Sequence, residues 1–207
     1  MDLLRVVSDI TIFKIIDWQL CLLIVQRDKV PYVWKWCLPW GFVRVNETVE
    51  QTAMRILKWE TGISHAFMQQ FHVFSDINRD PRRRAIWVAF IWILTTNQEV
   101  KPWPEQQQAM FCPMRNIPPL VFDHKDVARF AYQQLVQWIE DGSLVEYFLP
   151  KAFTLASLQQ VYETILQRRY DKRNFRRVIE KNHKLKATKQ KEKNVAHRPA
   201  TLYSFWK

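Results

Sequence analysis

Glu60 is the single carboxylate on a helical face that it shares with Ile56 and Trp59. Gly41, Glu47, Arg55, Glu60 and Gly62 are spaced as in a loop leading into a helix, and positions 56, 59 and 60 share one side of that helix. Three carboxylates there would hold a hard divalent cation and its waters against a pyrophosphate. This face has Ile56 and Trp59 beside Glu60, so Glu60 is left to ligate alone. Nothing in the spacing of Glu47, Glu50, Glu99 or Glu105 brings in help. No catalytic residue, metal set or cofactor is therefore expected.

A second kind of chemistry lies at the other end. Residues 1–150 carry 16 Lys+Arg against 16 Asp+Glu, whereas residues 151–207 carry 15 against 4, so the whole net charge of +11 belongs to the last 57 residues. A positive field so concentrated calls for a polyanion, although a solvated basic tail gives the same count. The pattern inside the segment is more specific. Thr154 is placed as an N-cap, and Leu155, Leu158, Val161, Tyr162, Ile165 and Leu166 recur at helical spacing. A turn over 167–170 leads to a second cap at Asp171 and a helix in which Phe175, Val178 and Ile179 gather on one side. Arg173 and Arg177 point nearly opposite, with Lys172, Asn174, Arg176 and Lys181 around them. Two short helices of this kind are what a helix-turn-helix requires, since Arg pairs with guanine and Asn with adenine. A closing strand over 201–205 makes a wing, with Lys189, Lys191 and Lys193 at a hairpin tip and Arg198 beside it, near phosphates or a minor groove.

The elements that must position these groups are legible as well. Strands are expected over 6–16 and 19–26 with a turn at Asp17-Trp18, and a short strand or loop over 41–45 enters a helix from about Glu47 to Glu60, stopped by Gly62. Further strands are expected over 67–74, 85–95 and 108–114. The polar stretch Asn78 to Arg84 separates the first two. A helix from Asp123 to about Glu140 should place Val127, Phe130, Ala131, Leu135 and Trp138 inward. Cys21, Cys37 and Cys112 are far apart, as in a reduced cytosolic protein rather than a disulfide or zinc framework. The ten apolar residues 85–94 are too few to span a bilayer, and no signal segment is apparent.

With these residues set out, Gly41 to Ile63 resembles the Nudix box, matching seven of its nine positions. The flanks Leu38-Pro39-Trp40-Gly41-Phe42-Val43 and Leu22 to Arg27 resemble that family's too, except that Trp40 stands where Gly is usual and should narrow the pocket. The order Phe153-Thr154-Leu155, Asn174-Phe175-Arg176-Arg177, Arg198-Pro199-Ala200 and Tyr203 is similar to the winged helix of the NrtR-type Nudix-related transcriptional regulators. Arg79-Asp80-Pro81-Arg82 and Phe122-Asp123-His124 match as well, so the resemblance covers nearly the whole chain. It implies an α+β fold: a Nudix α/β/α sandwich over 1–143, which senses an effector, and a winged helix-turn-helix over 144–207. It also implies a bacterial cytoplasmic, nucleoid-associated homodimer on double-stranded operator DNA, most simply a repressor. Its effector would be ADP-ribose, linked to NAD metabolism, or a pentose. Trp40 and Trp59 could stack on a base or sugar, Arg44, Arg79 and Arg82 could receive a phosphate, and Glu60 lines the former metal face. The same positions also suit core packing and surface ion pairs. The rival expectations are a Nudix hydrolase with an accessory nucleic-acid module and, ranked lower for want of exposed stacking aromatics in 172–193, an RNA binder.

Overall fold

The computed structural model describes residues 4–82, 84–99, 109–182, 185–192 and 198–206. Strand β1 (Arg5–Ile16) organises the first unit. It runs parallel to β6 (Ala85–Leu94) along one edge. Its other edge pairs antiparallel first with β4 (Trp40–Phe42), through Asp9 opposite Trp40, and then with β2 (Gln19–Gln26). The outer strands β3 (Trp36–Cys37) and β7 (Ala109–Pro113) pair with β2, and β5 (Phe67–Phe74) closes the far edge against β6. The β1–β2 turn is made by Asp17 and Trp18, both at positive φ (47° and 57°), the conformation that a tight hairpin between right-twisted strands demands.

Period-two alternation assigns the two faces. Ile10, Ile12, Leu23, Phe90, Trp92 and Leu94 pack under helix α1 (Val49–Thr61), against its Ala53, Ile56 and Leu57. Phe13, Ile15, Leu22, Ile24, Ile91 and Ile93 face the other way, toward helix α2 (His124–Glu140). This gives the α/β/α sandwich expected. Helix α1 starts with a reciprocal capping box between Thr48 and Gln51 and ends at Gly62, whose φ of 71° lets its N–H reach the Lys58 carbonyl.

The second unit stands on the α2 side of the sheet. Helix α3 (Leu155–Leu166) is capped by Thr154 and Ser157, and helix α4 (Lys172–Asn182) by the Asp171 carboxylate, which accepts the Asn174 N–H at 2.9 Å. Strands β8 (Leu185–Lys191) and β9 (Thr201–Phe205) form the wing, and Tyr203 pairs back onto Phe153. Leu158, Val161 and Ile165 of α3 and Phe175 and Ile179 of α4 belong to the same buried cluster as Leu135, Ile139 and the sheet. One apolar core therefore runs through both units.

Three expectations need correction. The buried stripe of α2 is His124, Val127, Ala128, Ala131, Leu135 and Ile139. Phe130 is 37% exposed and lies sideways on Phe71, His72 and Phe74 of β5, and Trp138 is only half-buried. Val178 is exposed, because Phe175 and Ile179 fill the α4 contact without it. Lys189 and Lys191 are not at a hairpin tip but along strand β8 with exposed side chains, since the strand pairs as far as Lys191. Lys193 lies outside the described residues.

Candidate nucleic-acid interface and effector pocket

Helix α4 buries Phe175 and Ile179 and exposes every other described position from Lys172 to Lys181. At 100° per residue the direction opposite that core contact is that of Arg177, with Arg173 and Lys181 beside it. Arg177 donates to the Asn174 side-chain oxygen at 2.9 Å, which couples the two groups suited to read base edges. On the flank, Arg176 pairs with Glu180 at 2.9 Å, an exposed i,i+4 pair that water largely screens. Lys172, Arg173, Asn174, Arg176, Arg177 and Lys181 thus form one basic surface, and Lys189, Lys191 and exposed Arg198 belong to the wing. Seated on a rigid, capped helix, such a surface suits a major groove.

The helical face that carries Glu60 is filled in a specific way. Ile56 is 5% exposed and lies so close to Gly41 that a Cβ there would meet its Cδ1 at 3.0 Å. An aliphatic chain has taken the space, and Gly41 is what admits it. Glu47 is committed elsewhere: its oxygens accept from Arg55 Nε and Nη2 at 2.8 Å each and from Thr52 Oγ1 at 2.9 Å. The Arg55 bonds hold Glu47 down to about 2. Glu60 is nearly buried, and burial together with the neighbouring Asp28 pushes it up to about 7. Trp59 is 56% exposed, so the indole that replaces a ligating carboxylate stands at the surface. Among the described residues, no group of three or more His, Cys, Asp or Glu could hold a metal ion.

Near β4 lies a layer of rings and guanidiniums that was only partly legible. Trp40 contacts Trp87 (5.2 Å), Phe42 (5.4 Å) and Phe122 (6.1 Å), and the guanidiniums of Arg27 and Arg82 lie 5.4 and 5.5 Å from its ring. Arg82 is tied bidentately to Asp80 at 2.9 and 2.7 Å, while Arg44 is exposed and 3.7 Å from Glu47. Arg79, expected as a phosphate receiver, instead turns inward. Its guanidinium is 1% exposed, 2.6 Å from Asp123 and 3.6 Å from Asp9, over the Trp87 ring. Its pairing holds the β5–β6 connection to the start of α2, so it positions the site without facing it. Sequence reading missed Arg27, Asp9 and His124. Burial pushes Asp9 up to about 8, against the pull of Arg79, and pushes His124 down to about 3. His124 accepts the Leu38 N–H at Nδ1 (3.0 Å), which leaves Nε2 as its N–H, 3.7 Å from Asp9.

Comparison with known proteins adds an independent line. The Nudix domain family model matches residues 8–134, and that of the NrtR DNA-binding winged helix domain matches residues 145–205. The chain belongs to the NrtR family of Nudix-related regulators. It is 30% identical to the ADPR responsive transcriptional repressor NtrR of Acinetobacter baylyi, over 95% of this chain and 80% of that relative. The crystal structure of Shewanella oneidensis NrtR complexed with a 27mer DNA is similar at a TM-score of 0.79 and 27% identity, covering 97% of this chain and 93% of that one. The Nudix domain of the same NrtR, complexed with ADP ribose, is similar at a TM-score of 0.60 and 26% identity, over 65% of this chain and 90% of that one. Among the described residues no helix is long and apolar enough to cross a membrane.

Proposed function

We propose that this chain is a sequence-specific transcriptional repressor that binds double-stranded DNA through α4 and the wing, and whose Nudix unit senses ADP-ribose, or a pentose, without hydrolysing it. The observation that carries the reading is the pairing of a sealed metal face, Ile56 against Gly41, with an exposed Arg173/Arg177/Lys181 surface. We divide the chain into a sensing unit, 1–143, and a reading unit, 144–207, and expect a cytoplasmic homodimer on its operator. The similarity to a DNA-bound NrtR and to an ADP-ribose-bound NrtR domain supports this reading. Trp59, Arg44 and the Trp40/Arg82 layer are the groups proposed to meet the effector, and Lys172 to Lys181, Lys189, Lys191 and Arg198 those proposed to meet DNA.

The test is a gel-shift series on promoter fragments at increasing salt, with and without ADP-ribose. With roughly four to six phosphates neutralised per protomer, the log–log slope should be about −7 to −11 for a dimer. Arg177→Ala should cost about 1–3 kcal/mol if it reads a base edge. Unchanged affinity in both Arg173→Ala and Arg177→Ala would reject the assignment of α4. A second reading, a hydrolase, is favoured by the retained Glu47–Arg55 clasp and Glu60. It requires magnesium-dependent cleavage of ADP-ribose that disappears in Glu60→Gln.

A further inference from the structure

A groove of about 550 Å³ lies at neither of these places but along the seam between the units. One wall is the first unit: Trp18 of the β1–β2 turn, Arg115 just after β7, and Tyr132 of α2. The other is α3 and the turn before α4, with Glu163, Arg168 and Arg169. Three guanidiniums against one carboxylate make it basic. Each is held in place yet open to solvent: Arg115 donates to the Gln167 side chain, Arg168 lies over the Tyr170 ring and donates to its hydroxyl at 2.8 Å, and Arg169 pairs with Glu163 at 3.0 Å while 92% exposed. The walls are fixed to each other as well, through Tyr132 Oη donating to the Ile165 carbonyl (2.8 Å) and Thr164 Oγ1 to that of Trp18 (3.2 Å).

We propose that this seam is a second DNA contact, in which Arg115, Arg168 and Arg169 grip the sugar-phosphate backbone that flanks the groove read by α4. The proposal rests on the DNA-binding reading above and extends the footprint onto the Nudix unit. Arg168 and Arg169 stand in the turn before α4, separated from Lys172 and Arg173 only by Tyr170 and Asp171, so cations occur on both sides of the helix start. Guanidiniums fixed by neighbours but facing water are the usual donors to phosphate oxygens, contacts that set register without reading sequence. Three separate guanidiniums fit successive phosphates of a strand better than a single small anion. Because the cations sit on both units, the grip depends on how the units are set against each other.

The test measures salt dependence on a mixed-sequence duplex, by fluorescence anisotropy, with the full chain. Each lost phosphate contact should lower the magnitude of the log–log slope by about 0.9. Arg115→Gln should therefore flatten the slope and weaken binding several-fold, Arg168→Gln/Arg169→Gln should flatten it further, and Arg115→Lys should retain it, with melting temperatures unchanged. An unchanged slope in Arg115→Gln, alongside a flattened one in Arg173→Ala, would overturn the seam contact and leave the winged-helix reading standing. No duplex binding by the parent chain would overturn both. Thermal stabilisation by AMP that vanishes in Arg115→Gln, with duplex binding unaffected, would assign the groove to a free phosphate compound and equally overturn the proposal.

Discussion

Placing carboxylates at positions 56 and 59 should make the stability of the first unit depend on a divalent cation. In Ile56→Glu/Trp59→Glu, the first substitution removes an apolar chain that is 5% exposed and packed among Ala53, Leu57 and Gly41. Losing that burial costs about 1.5–3 kcal/mol. The carboxyl at 56 also stands one helical turn from Glu60, which burial and Asp28 already push up to about 7, and one turn from the carboxyl at 59, so repulsion adds to the loss. A total near 3 kcal/mol lowers the melting temperature of a chain this size by about 6–12 °C. Magnesium at about a hundred times its dissociation constant would return about 2.7 kcal/mol, nearly all of it. The assay is thermal unfolding of parent and double variant in chelator and in magnesium, near pH 8 where the carboxyls are ionised. The parent should not respond, and the variant should recover most of its loss. A parent that gains as much from magnesium as the variant, or a variant indifferent to it, would refute the account of why the metal face is closed.

Buried Asp9 sets a pH dependence. Its folded pKa of about 8 lies above the 3.8 of the unfolded chain, so the folded state holds the proton longer and stability should fall as pH rises between those values. Glu60 adds in the same direction between 4.5 and about 7, while His124, pushed down to about 3, opposes both below 6.5; denaturant midpoints between about pH 6.5 and 8 should therefore fall with pH, less so in Asp9→Asn. Gly62→Ala forces a Cβ into a φ of 71° at the end of α1 and should cost about 1 kcal/mol, read as a lower urea midpoint at constant m-value. Tyr132→Phe removes one seam hydrogen bond, a loss of about 0.5–1.5 kcal/mol by the same measurement.

What could be read from the sequence was whatever neighbours along the chain decide. The caps at Thr154 and Asp171, the stop at Gly62 and the alternation in β1, β2 and β6 all depend on residues within one or two turns, and they stand where expected. The basic face of α4 was legible for the same reason. The misplacements come from partners distant in sequence. Arg79 reads as one of four arginines in a polar turn until Asp123, 44 residues on, takes its guanidinium inside. Phe130 fits the inward stripe of α2 on spacing alone, and only the position of β5 draws it sideways. Arg115 and Arg168 gave no signal at all, being separated by more than fifty residues and brought together by the docking of α3.

The apolar cluster shared by the sheet, α2, α3 and α4 bears on how such a protein could be taken apart or rewired. Cut between 143 and 144, each fragment would be left with a greasy wall in water, Leu135 and Ile139 on one piece, Leu158 and Val161 on the other. Severed halves should clump rather than function as portable modules, and a chimera carrying this reader on a foreign sensor would have to bring α2 along as its foundation.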